Sequence, residues 1–389
     1  MAFGTIGLGA LIVLMYRRKF KWNLEDIMIG KNEHFHGSDV EKVEAVYGVK
    51  KEDIINFSGN VNPLGISPML REALAAHVDA IASYPDREYG SLRKAIAAYG
   101  KTEYENVIVG NGSTELISLF IRAVNPGKAL VVAPTYSEYE REITLNGGVC
   151  HYYALQEAQE FELDVERFLK QLQAGPDLLI LCNPNNPTSS LISRQDMETI
   201  LTACRQRDIF VLVDETYMEF VENYEDITAI PLTAYYKNLV VLRGTSKFFA
   251  VPGLRLGYAV TGNQTLSKSI HRQQNPWSLH ALAAAAGEAM FQDQEYIHAT
   301  HRLISEERQR MYRLFSKDSR FHPYLPKANF MLLRICADGL SSEKLFTRAI
   351  QQKMMIRDCS DFLFLSKEYI RFCFLSPEKN DRLANCLLI

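Results

Sequence analysis

The sequence predicts an α/β fold, with a large domain built on a mainly parallel sheet and a smaller α+β domain after it. Between residues 106 and 258, short runs of β-branched and aliphatic residues alternate with amphipathic segments. From about His322 the pattern changes to strand, helix, strand, helix. Buried strands interleaved with helices are typical of parallel sheets covered on both faces. A chain of 389 residues is long enough for two domains.

The individual elements of the large domain follow from apolar runs and from the segments between them. Five runs predict buried strands, in the order NVIVG, ALVVAP, DLLILCN, IFVLVDE and LVVLRG. Amphipathic segments predict the helices between and after them, namely STELISLFIRAV, SEYEREITLNGG, SRQDMETILTACRQRD, SLHALAAAAGEAMFQD and DQEYIHATHRLISEERQRMYRLF. Ligands of such sheets bind at the carboxyl ends of the strands, so polar residues at these ends are candidate site residues.

Composition and charge exclude some classes of function. The formal net charge is −3, whereas a nucleic-acid-binding protein needs a basic face to neutralise phosphates. The seven cysteines show no close CxxC spacing, so we predict no metal site and reduced thiols in a cytoplasmic protein.

The N-terminus has an apolar run, AFGTIGLGALIVLM, followed directly by YRRKFK. The run is short for a membrane-spanning helix, and it lacks the basic start and cleavage site of a secretory signal. One interpretation is a weak membrane anchor that leaves the rest of the chain in the cytoplasm. The other, which we favour, is an extension ahead of a second plausible start at Met28.

Four polar clusters follow predicted strands: GNGSTE, NPNNPT with Asn186, VDETY with Asp214 and Tyr217, and GTSKFFAVPGLRLGY with Lys247 and Arg255. Each cluster alone has a structural interpretation as a turn, a helix cap or a solvated lysine. Together they match the needs of pyridoxal 5′-phosphate: a lysine for a Schiff base, a carboxylate for the pyridine nitrogen, and backbone amides with an arginine for the phosphate.

From about Phe35 to its C-terminus, the chain resembles the fold-type I pyridoxal-phosphate enzymes, the aspartate aminotransferase superfamily. The resemblance implies a seven-stranded sheet in the large domain and a homodimer with shared active sites. It also implies a division of the chain into an N-terminal extension (1–27), an arm with part of the small domain (28–84), a large cofactor-binding domain (85–293) and a small C-terminal domain (294–389).

The resemblance also implies roles for single residues. Lys247 matches the Schiff-base lysine, Asp214 the partner of the pyridine nitrogen, and Tyr136 the aromatic residue that stacks on the ring. Further matches are the partners of the ring 3-oxygen, Asn186 and Tyr217, and the phosphate-binding residues, Gly112, Ser113, Thr114, Thr245, Ser246, Arg255 and, from the other subunit, Tyr84.

One position departs from the family pattern. The family usually has a hydroxyl three residues before the lysine, where this chain has Gly244. Either Thr245 substitutes for it, or the phosphate is held by one donor fewer. A charge-assisted hydrogen bond contributes about 1.5–3 kcal/mol, so we expect weaker cofactor binding.

Three segments resemble the family of L-threonine O-3-phosphate decarboxylases of the cobalamin pathway: FHGSDVEKVEAVYGVKKEDIINFSGNVNPLGISP, KFFAVPGLRLGY and RQQNPWSLHALAAAAGEAMFQD. In the first segment, His36-Gly37-Ser38 replaces the family's His-Gly-Gly. The resemblance implies decarboxylation of L-threonine O-3-phosphate, or of L-serine O-phosphate. The alternatives are an aminotransferase of the histidinol-phosphate type, which uses the same residues with 2-oxoglutarate, and a non-catalytic relative.

Both enzyme families take phosphorylated substrates, which need cations beyond the cofactor site. Arg357 and Arg371 match the arginines that bind the substrate's phosphate and carboxylate, groups that suit planar guanidinium forks. The alternative for them is a role in surface ion pairs. His36, Asn60 and Asn62 are candidates for hydrogen bonds to the substrate or are N-terminal turn residues. Three other arginines are predicted to be solvated: Arg194, Arg205 and Arg243.

Overall fold

The structure is a computed structural model that describes Phe35 and residues 37–388. The predicted N-terminal extension and His36 lie outside the described residues. Within the described part of the chain, no helix is long and apolar enough to cross a membrane.

Seven strands form the central sheet of the large domain: β2 (Val107–Asn111), β3 (Lys128–Ala133), β4 (Val149–Ala154), β5 (Leu178–Cys182), β6 (Phe210–Asp214), β7 (Leu239–Gly244) and β8 (Leu256–Val260). Their order across the sheet is β2-β8-β7-β6-β5-β3-β4. The five strands from β7 to β4 run parallel, and β8 is antiparallel to both of its neighbours. The predicted fold class, with a mainly parallel seven-stranded sheet, is therefore confirmed.

Both faces of this sheet are buried, as the continuous apolar runs predict. In β5, Leu178 and Ile180 belong to one hydrophobic core, whereas Leu179 and Leu181 belong to the other. Successive side chains of a strand point to opposite faces, so a strand buried on both faces needs apolar residues throughout. Within the buried strands, charged and amide side chains are thereby confined to the strand ends.

Thirteen α-helices accompany the strands in the described residues: α1 (Val40–Tyr47), α2 (Pro68–Ala76), α3 (Gly90–Gly100), α4 (Gly112–Val124), α5 (Glu138–Leu145), α6 (Val165–Gln171), α7 (Arg194–Arg205), α8 (Thr245–Phe248), α9 (Gln264–Gln273), α10 (Ala281–Met290), α11 (Gln294–Phe315), α12 (Ser342–Gln351) and α13 (Pro377–Leu387). The predicted alanine-rich helix begins three residues later than expected, because His280 caps it by accepting a hydrogen bond from the Ala283 amide.

The C-terminal part contains a four-stranded sheet and a small parallel pair. The sheet has the order β12-β13-β10-β9, formed by β9 (Phe321–Pro323), β10 (Phe330–Ile335), β12 (Arg357–Asp358) and β13 (Tyr369–Cys373). The pair joins β1 (Ile55–Asn56) to β11 (Met354–Met355). The residues just after β1 are thereby attached to the small domain, although they stand some 300 positions earlier in the chain.

The sequence did not identify two strands of the central sheet individually. β4 is an edge strand whose residues are mostly half-buried or exposed, so it lacks a continuous apolar run. β8 contains Gly257, and glycine weakens a strand pattern. A Cβ at this glycine would lie only 2.6 Å from the Ser113 amide nitrogen, so the close approach of β8 to the start of α4 requires it.

The prediction for Arg243 was wrong. Arg243 is 1% exposed and forms ion pairs of 2.8 Å with both Glu215 and Glu219, which are buried as well. Arg205 is exposed, as predicted. Arg243 precedes Gly244 at the end of β7, and Glu215 follows Asp214 at the end of β6, so this buried ion cluster joins the two strand ends that carry the main candidate residues.

Replacing Arg243 by Met should lower the free energy of unfolding by about 3–5 kcal/mol, because two buried carboxylates would lose their cation. Urea denaturation would measure the loss. Arg205→Ala removes the same charge at an exposed position and should cost less than about 1 kcal/mol. Equal denaturation midpoints for the two variants would contradict a structural role for the cluster.

Candidate active site

A cavity of about 820 Å³ lies where the carboxyl ends of β5, β6 and β7 meet the small domain. Twelve residues singled out from the sequence line this cavity: Asn60, Ser113, Thr114, Tyr136, Asn186, Asp214, Tyr217, Ser246, Lys247, Arg255, Arg357 and Arg371. Their sequence positions span more than 300 residues. The fold therefore brings into one site groups that the sequence offered only as separate clusters.

Lys247 lies in the single-turn helix α8, directly after β7. Its Nζ donates a hydrogen bond of 2.7 Å to the Gly59 carbonyl, in the arm. Burial lowers the pKa of Lys247 to about 8, and the positive charge of Arg371 contributes in the same direction. An appreciable fraction of this amine is therefore unprotonated near neutral pH, as a nucleophilic lysine requires.

Asp214 ends β6 and is 4% exposed. The Tyr139 hydroxyl donates to its Oδ2 at 2.7 Å. Thr216 donates to its Oδ1 from the amide at 2.9 Å and from the hydroxyl at 2.6 Å. Burial raises the pKa of Asp214, and the hydrogen bonds from Thr216 and Tyr139 oppose that shift. The carboxyl group is held in one orientation, suited to a cationic ring nitrogen.

The sequence did not reveal the two residues that orient Asp214. Tyr139 follows Tyr136 by three positions and lies in the first turn of α5, whereas Tyr136 precedes that helix. The two rings contact each other edge to face, with centroids 5.6 Å apart. This spacing was the available signal for Tyr139. Thr216 stands two positions after the aspartate, where a side-chain to backbone turn is common.

Tyr217 and Asn186 lie in the cavity near Asp214. Tyr217 is buried, which raises the pKa of its hydroxyl, and it accepts a hydrogen bond of 3.3 Å from Asn60 Nδ2. Asn60 Oδ1 is buried and has no hydrogen-bond partner. Buried polar atoms are rarely left unpaired, so an orphaned acceptor at this position is suited to a bound molecule with a donor.

The start of α4 has the shape of a phosphate cradle. Gly112 has φ +78°, and a Cβ added to it would lie 2.3 Å from Arg255 Nη2. Arg255 therefore lies directly against the first turn of α4, with no side chain between them. The first backbone N–H groups of a helix and an arginine together favour an anion. With Ser113, Thr114 and Ser246 in the same cavity, these groups fit the phosphate of pyridoxal phosphate.

The structure contradicts the suggestion that Thr245 replaces the missing hydroxyl. The Thr245 hydroxyl donates to the Leu256 carbonyl at 2.9 Å, and the residue is 1% exposed. At Gly244, an added Cβ would lie 3.5 Å from Ser113 Oγ and 3.6 Å from Thr216 Oγ1, so the position faces these hydroxyls and has room for a side chain. The structure therefore favours the other interpretation, a cradle with one donor fewer.

Arg357 and Arg371 are direct neighbours across the antiparallel pair of β12 and β13, and both are buried. Arg371 donates to the Ser58 carbonyl at 2.7 Å and to Asn186 Oδ1, while its Nε has no partner. Among the described residues, no carboxylate forms an ion pair with Arg371. Neither arginine is a surface residue: Arg357 forms its ion pair, with Asp361, while 3% exposed, and Arg371 is buried without a carboxylate partner in the described part of the chain.

Two residues predicted to belong to the site, Asn62 and Tyr84, do not line the cavity. Asn62 donates to the Phe248 carbonyl at 2.8 Å and to the Thr300 hydroxyl at 2.7 Å, so its amide holds the arm in place and is not available to a substrate. The side chain of Tyr84 is 81% exposed and contacts the Trp277 ring, with centroids 4.9 Å apart. Gly37, by contrast, does line the cavity, and its carbonyl accepts a hydrogen bond of 2.6 Å from Asn56 Nδ2.

The chain is similar to known proteins over most of its length. Residues 52–387 match the family described as aminotransferase class I and II. The threonine-phosphate decarboxylase of Salmonella typhimurium is 33% identical, over 90% of this chain and 95% of that protein. A putative threonine-phosphate decarboxylase of Caldanaerobacter subterraneus is 37% identical, over 84% of this chain and 88% of that one. The structure of histidinol-phosphate aminotransferase from Clostridium acetobutylicum superposes with a TM-score of 0.80 at 29% identity, covering 85% and 97% of the two chains.

Gly244→Ser should bind pyridoxal phosphate more tightly than the unchanged protein, because it adds a donor beside Ser113 where a Cβ fits. A gain of about 1.5 kcal/mol would lower the dissociation constant about tenfold. Absorbance titration of the apoprotein with the cofactor would measure it. Gly244→Ala, which adds the carbon without the hydroxyl, is the matched control, and an equal gain in both variants would refute the role of the hydroxyl.

Uptake of pyridoxal phosphate by the apoprotein should accelerate as the pH rises, with a midpoint near pH 8. The amine of Lys247 is nucleophilic only when unprotonated, and its pKa is lowered to about 8. The rate of the absorbance change after cofactor addition would give the midpoint. Arg371→Gln should move it upward, because the positive charge of Arg371 helps to lower the pKa. A midpoint near the ordinary lysine value of about 10.4 would contradict the interpretation.

Proposed function

Because this chain belongs to the class I and II aminotransferase family, we propose that it decarboxylates L-threonine O-3-phosphate to (R)-1-amino-2-propanol O-2-phosphate and CO₂, in cobalamin biosynthesis. The observation that carries the proposal is the adjacent pair of buried arginines, Arg357 and Arg371, in the cavity with Lys247. Two cations side by side suit a small substrate with two anionic groups. The two threonine-phosphate decarboxylases at 33% and 37% identity support this substrate.

The protein is a pyridoxal-phosphate-dependent enzyme. Lys247 would hold the cofactor by its amine, Asp214 would bind the ring nitrogen, and Arg255 would bind the phosphate with Ser113 and Ser246. Tyr136 would cover the ring, and Tyr217 and Asn186 would bind its oxygen. When bound, the cofactor supplies an acceptor for the electron pair of the bond that breaks at the substrate Cα.

Arg371 would bind the substrate carboxylate, since its Nε is without a partner and its pKa is lowered by burial. An anion beside it relieves the cost of a buried, uncompensated charge. Placement of the carboxylate decides which bond to Cα breaks. Once CO₂ has left, a proton must replace it at Cα, and Lys247 Nζ is the acid that the cavity offers for this transfer.

We also propose that two copies of the chain form the active enzyme, with Tyr84 contributing to the partner's phosphate site. Exposed apolar side chains cluster near Tyr84, including Val78 at 51%, Ile81 at 66% and Trp277 at 42%. Exposed patches of this kind mark interaction surfaces. Sedimentation at about twice the chain mass of 44.3 kDa would support the dimer, and sedimentation at the chain mass would refute it. The domain boundaries and the cytoplasmic location stay predictions.

The decisive assay is release of CO₂ from L-threonine O-3-phosphate by the cofactor-loaded protein, with and without 2-oxoglutarate. Release that does not depend on the keto acid supports the decarboxylase, and L-serine O-phosphate tests the variant substrate. Lys247→Ala should abolish turnover, because no other lysine lines the cavity within the described residues. Full activity of that variant over many turnovers would refute the scheme.

Aminotransfer is the second candidate, favoured by the superposition with histidinol-phosphate aminotransferase at a TM-score of 0.80. The same residues would bind the cofactor and the phosphorylated amine. Glutamate formed from 2-oxoglutarate with histidinol phosphate, in the absence of CO₂ release, would establish it. Cofactor binding without either reaction would establish the non-catalytic alternative.

A further inference from the structure

Arg357 and Arg371, the two arginines on the small-domain side of the cavity, differ in that only Arg357 has a carboxylate partner among the described residues. Arg357 Nη2 donates to both oxygens of Asp361, at 2.8 and 2.6 Å. Arg371, its cross-strand neighbour, has no such partner among the described residues. Asp361 also lines the cavity, so this carboxylate occupies the cation that a second anionic group of the substrate would need.

Arg357 does not depend on Asp361 alone for its position. Its Nη1 donates to the Phe35 carbonyl at 3.0 Å. The guanidinium carbon of Arg357, Cζ, lies over the Phe362 ring, 5.0 Å from the ring centroid. Arg357 is 3% exposed. Burial, a backbone acceptor and an aromatic face therefore restrict the guanidinium from other sides. Removing the Asp361 charge should leave the arginine in the cavity.

Asp361 can move more easily than Arg357. Its side chain is 25% exposed, against 4% for the arginine. It lies in the segment 359–368 that joins β12 to β13. In this segment Leu363 and Phe364 are about half-exposed, and Phe364 packs edge to face on Tyr152, with centroids 6.3 Å apart. The carboxylate is thus on a surface segment at the mouth of the cavity, whereas its partner is on a strand.

The charges at this end of the cavity determine which ligand can displace Asp361. Within the group formed by Arg357, Arg371 and Asp361, one positive charge remains, which a substrate carboxylate on Arg371 would neutralise. A monoanion on Arg357 would only exchange one carboxylate for another. A phosphate group carries about −1.5 to −2 at neutral pH and three strong acceptors, so its attraction to the arginine pair is up to about twice that of a monoanion.

We propose that Asp361 competes with the substrate for Arg357, so that only a group that binds the arginine pair more strongly than a carboxylate, as a doubly charged phosphate does, fills the site. The inference deepens the proposed function and rests on it for the phosphorylated class of substrate. It assigns a role in rejection to a residue that makes no favourable contact with the substrate. Selection against a competitor by an opposing charge is a general route to specificity.

The test compares two ligands that lack an amine and therefore cannot react at Lys247. Glycerate 3-phosphate carries a carboxylate and a phosphate, and glutarate carries two carboxylates at a similar separation. Binding to the cofactor-loaded protein is measured by calorimetry, with the phosphate cradle of the cofactor already filled. In Asp361→Asn, both ligands should bind about tenfold more tightly, because each is spared the same cost of displacing the carboxylate, while glycerate 3-phosphate remains the preferred ligand.

The same substitution at Asp53 is the matched control. Asp53 forms an exposed ion pair of 2.8 Å with Lys353, so Asp53→Asn should leave both affinities unchanged. If Asp361→Asn weakens both ligands equally, Asp361 only positions Arg357 and the proposal is wrong. Unchanged affinities would also overturn it. Cofactor absorbance equal to that of the unchanged protein would show that the cavity of the Asp361→Asn variant is folded.

The result is separable from that of the CO₂ assay. A protein that releases no CO₂ but binds both ligands about tenfold more tightly in Asp361→Asn retains the competition for Arg357 and refutes the decarboxylase. A protein that releases CO₂ and binds both ligands equally well with and without the Asp361 charge retains the decarboxylase and refutes the role of Asp361.

Discussion

The hydrogen bonds that Arg371 donates hold together the three parts of the chain that form the cavity. Arg371 lies on β13 of the small domain, donates to Asn186 after β5 of the large domain, and donates to the Ser58 carbonyl in the arm. Lys247 donates to the next residue of that arm, Gly59. Arg371 and Lys247 are therefore positioned by adjacent backbone carbonyls, and a shift of the arm would move both.

The cavity retains charges that a hydrophobic core would not tolerate, and each charge is compensated differently. Asp214 is held by donors from Tyr139 and Thr216, which favour its charged form against burial. Lys247 responds to burial with a lowered pKa. Arg371 has polar acceptors but, among the described residues, no carboxylate. The cavity is therefore suited to a cation near Asp214 and an anion near Arg371. A protonated pyridine nitrogen of the cofactor and the carboxylate of an amino acid have these charges.

Behind the cavity, a second group of charges has a structural role. Arg243, Glu215 and Glu219 pair with one another out of contact with solvent. Arg243 and Glu215 are direct neighbours in sequence of Gly244 and Asp214. This ion cluster therefore holds together two strand ends that carry candidate site residues. An arginine in an apolar strand gives no sequence signal for such a role, because its partners lie about 24 to 28 residues away.

The sequence by itself determined the fold class, the cofactor and the order of the strand-end clusters. Continuous apolar runs require burial on both faces of a strand, and the chemistry of pyridoxal phosphate requires a particular set of side chains. Only the tertiary structure decided which donors reach the cavity. It turned the Thr245 hydroxyl and the Asn62 amide inward to other partners, and it placed Tyr139 against Asp214 and Asp361 against Arg357. The direction of a side chain depends on packing between elements that are distant in sequence, so the local sequence pattern does not predict it.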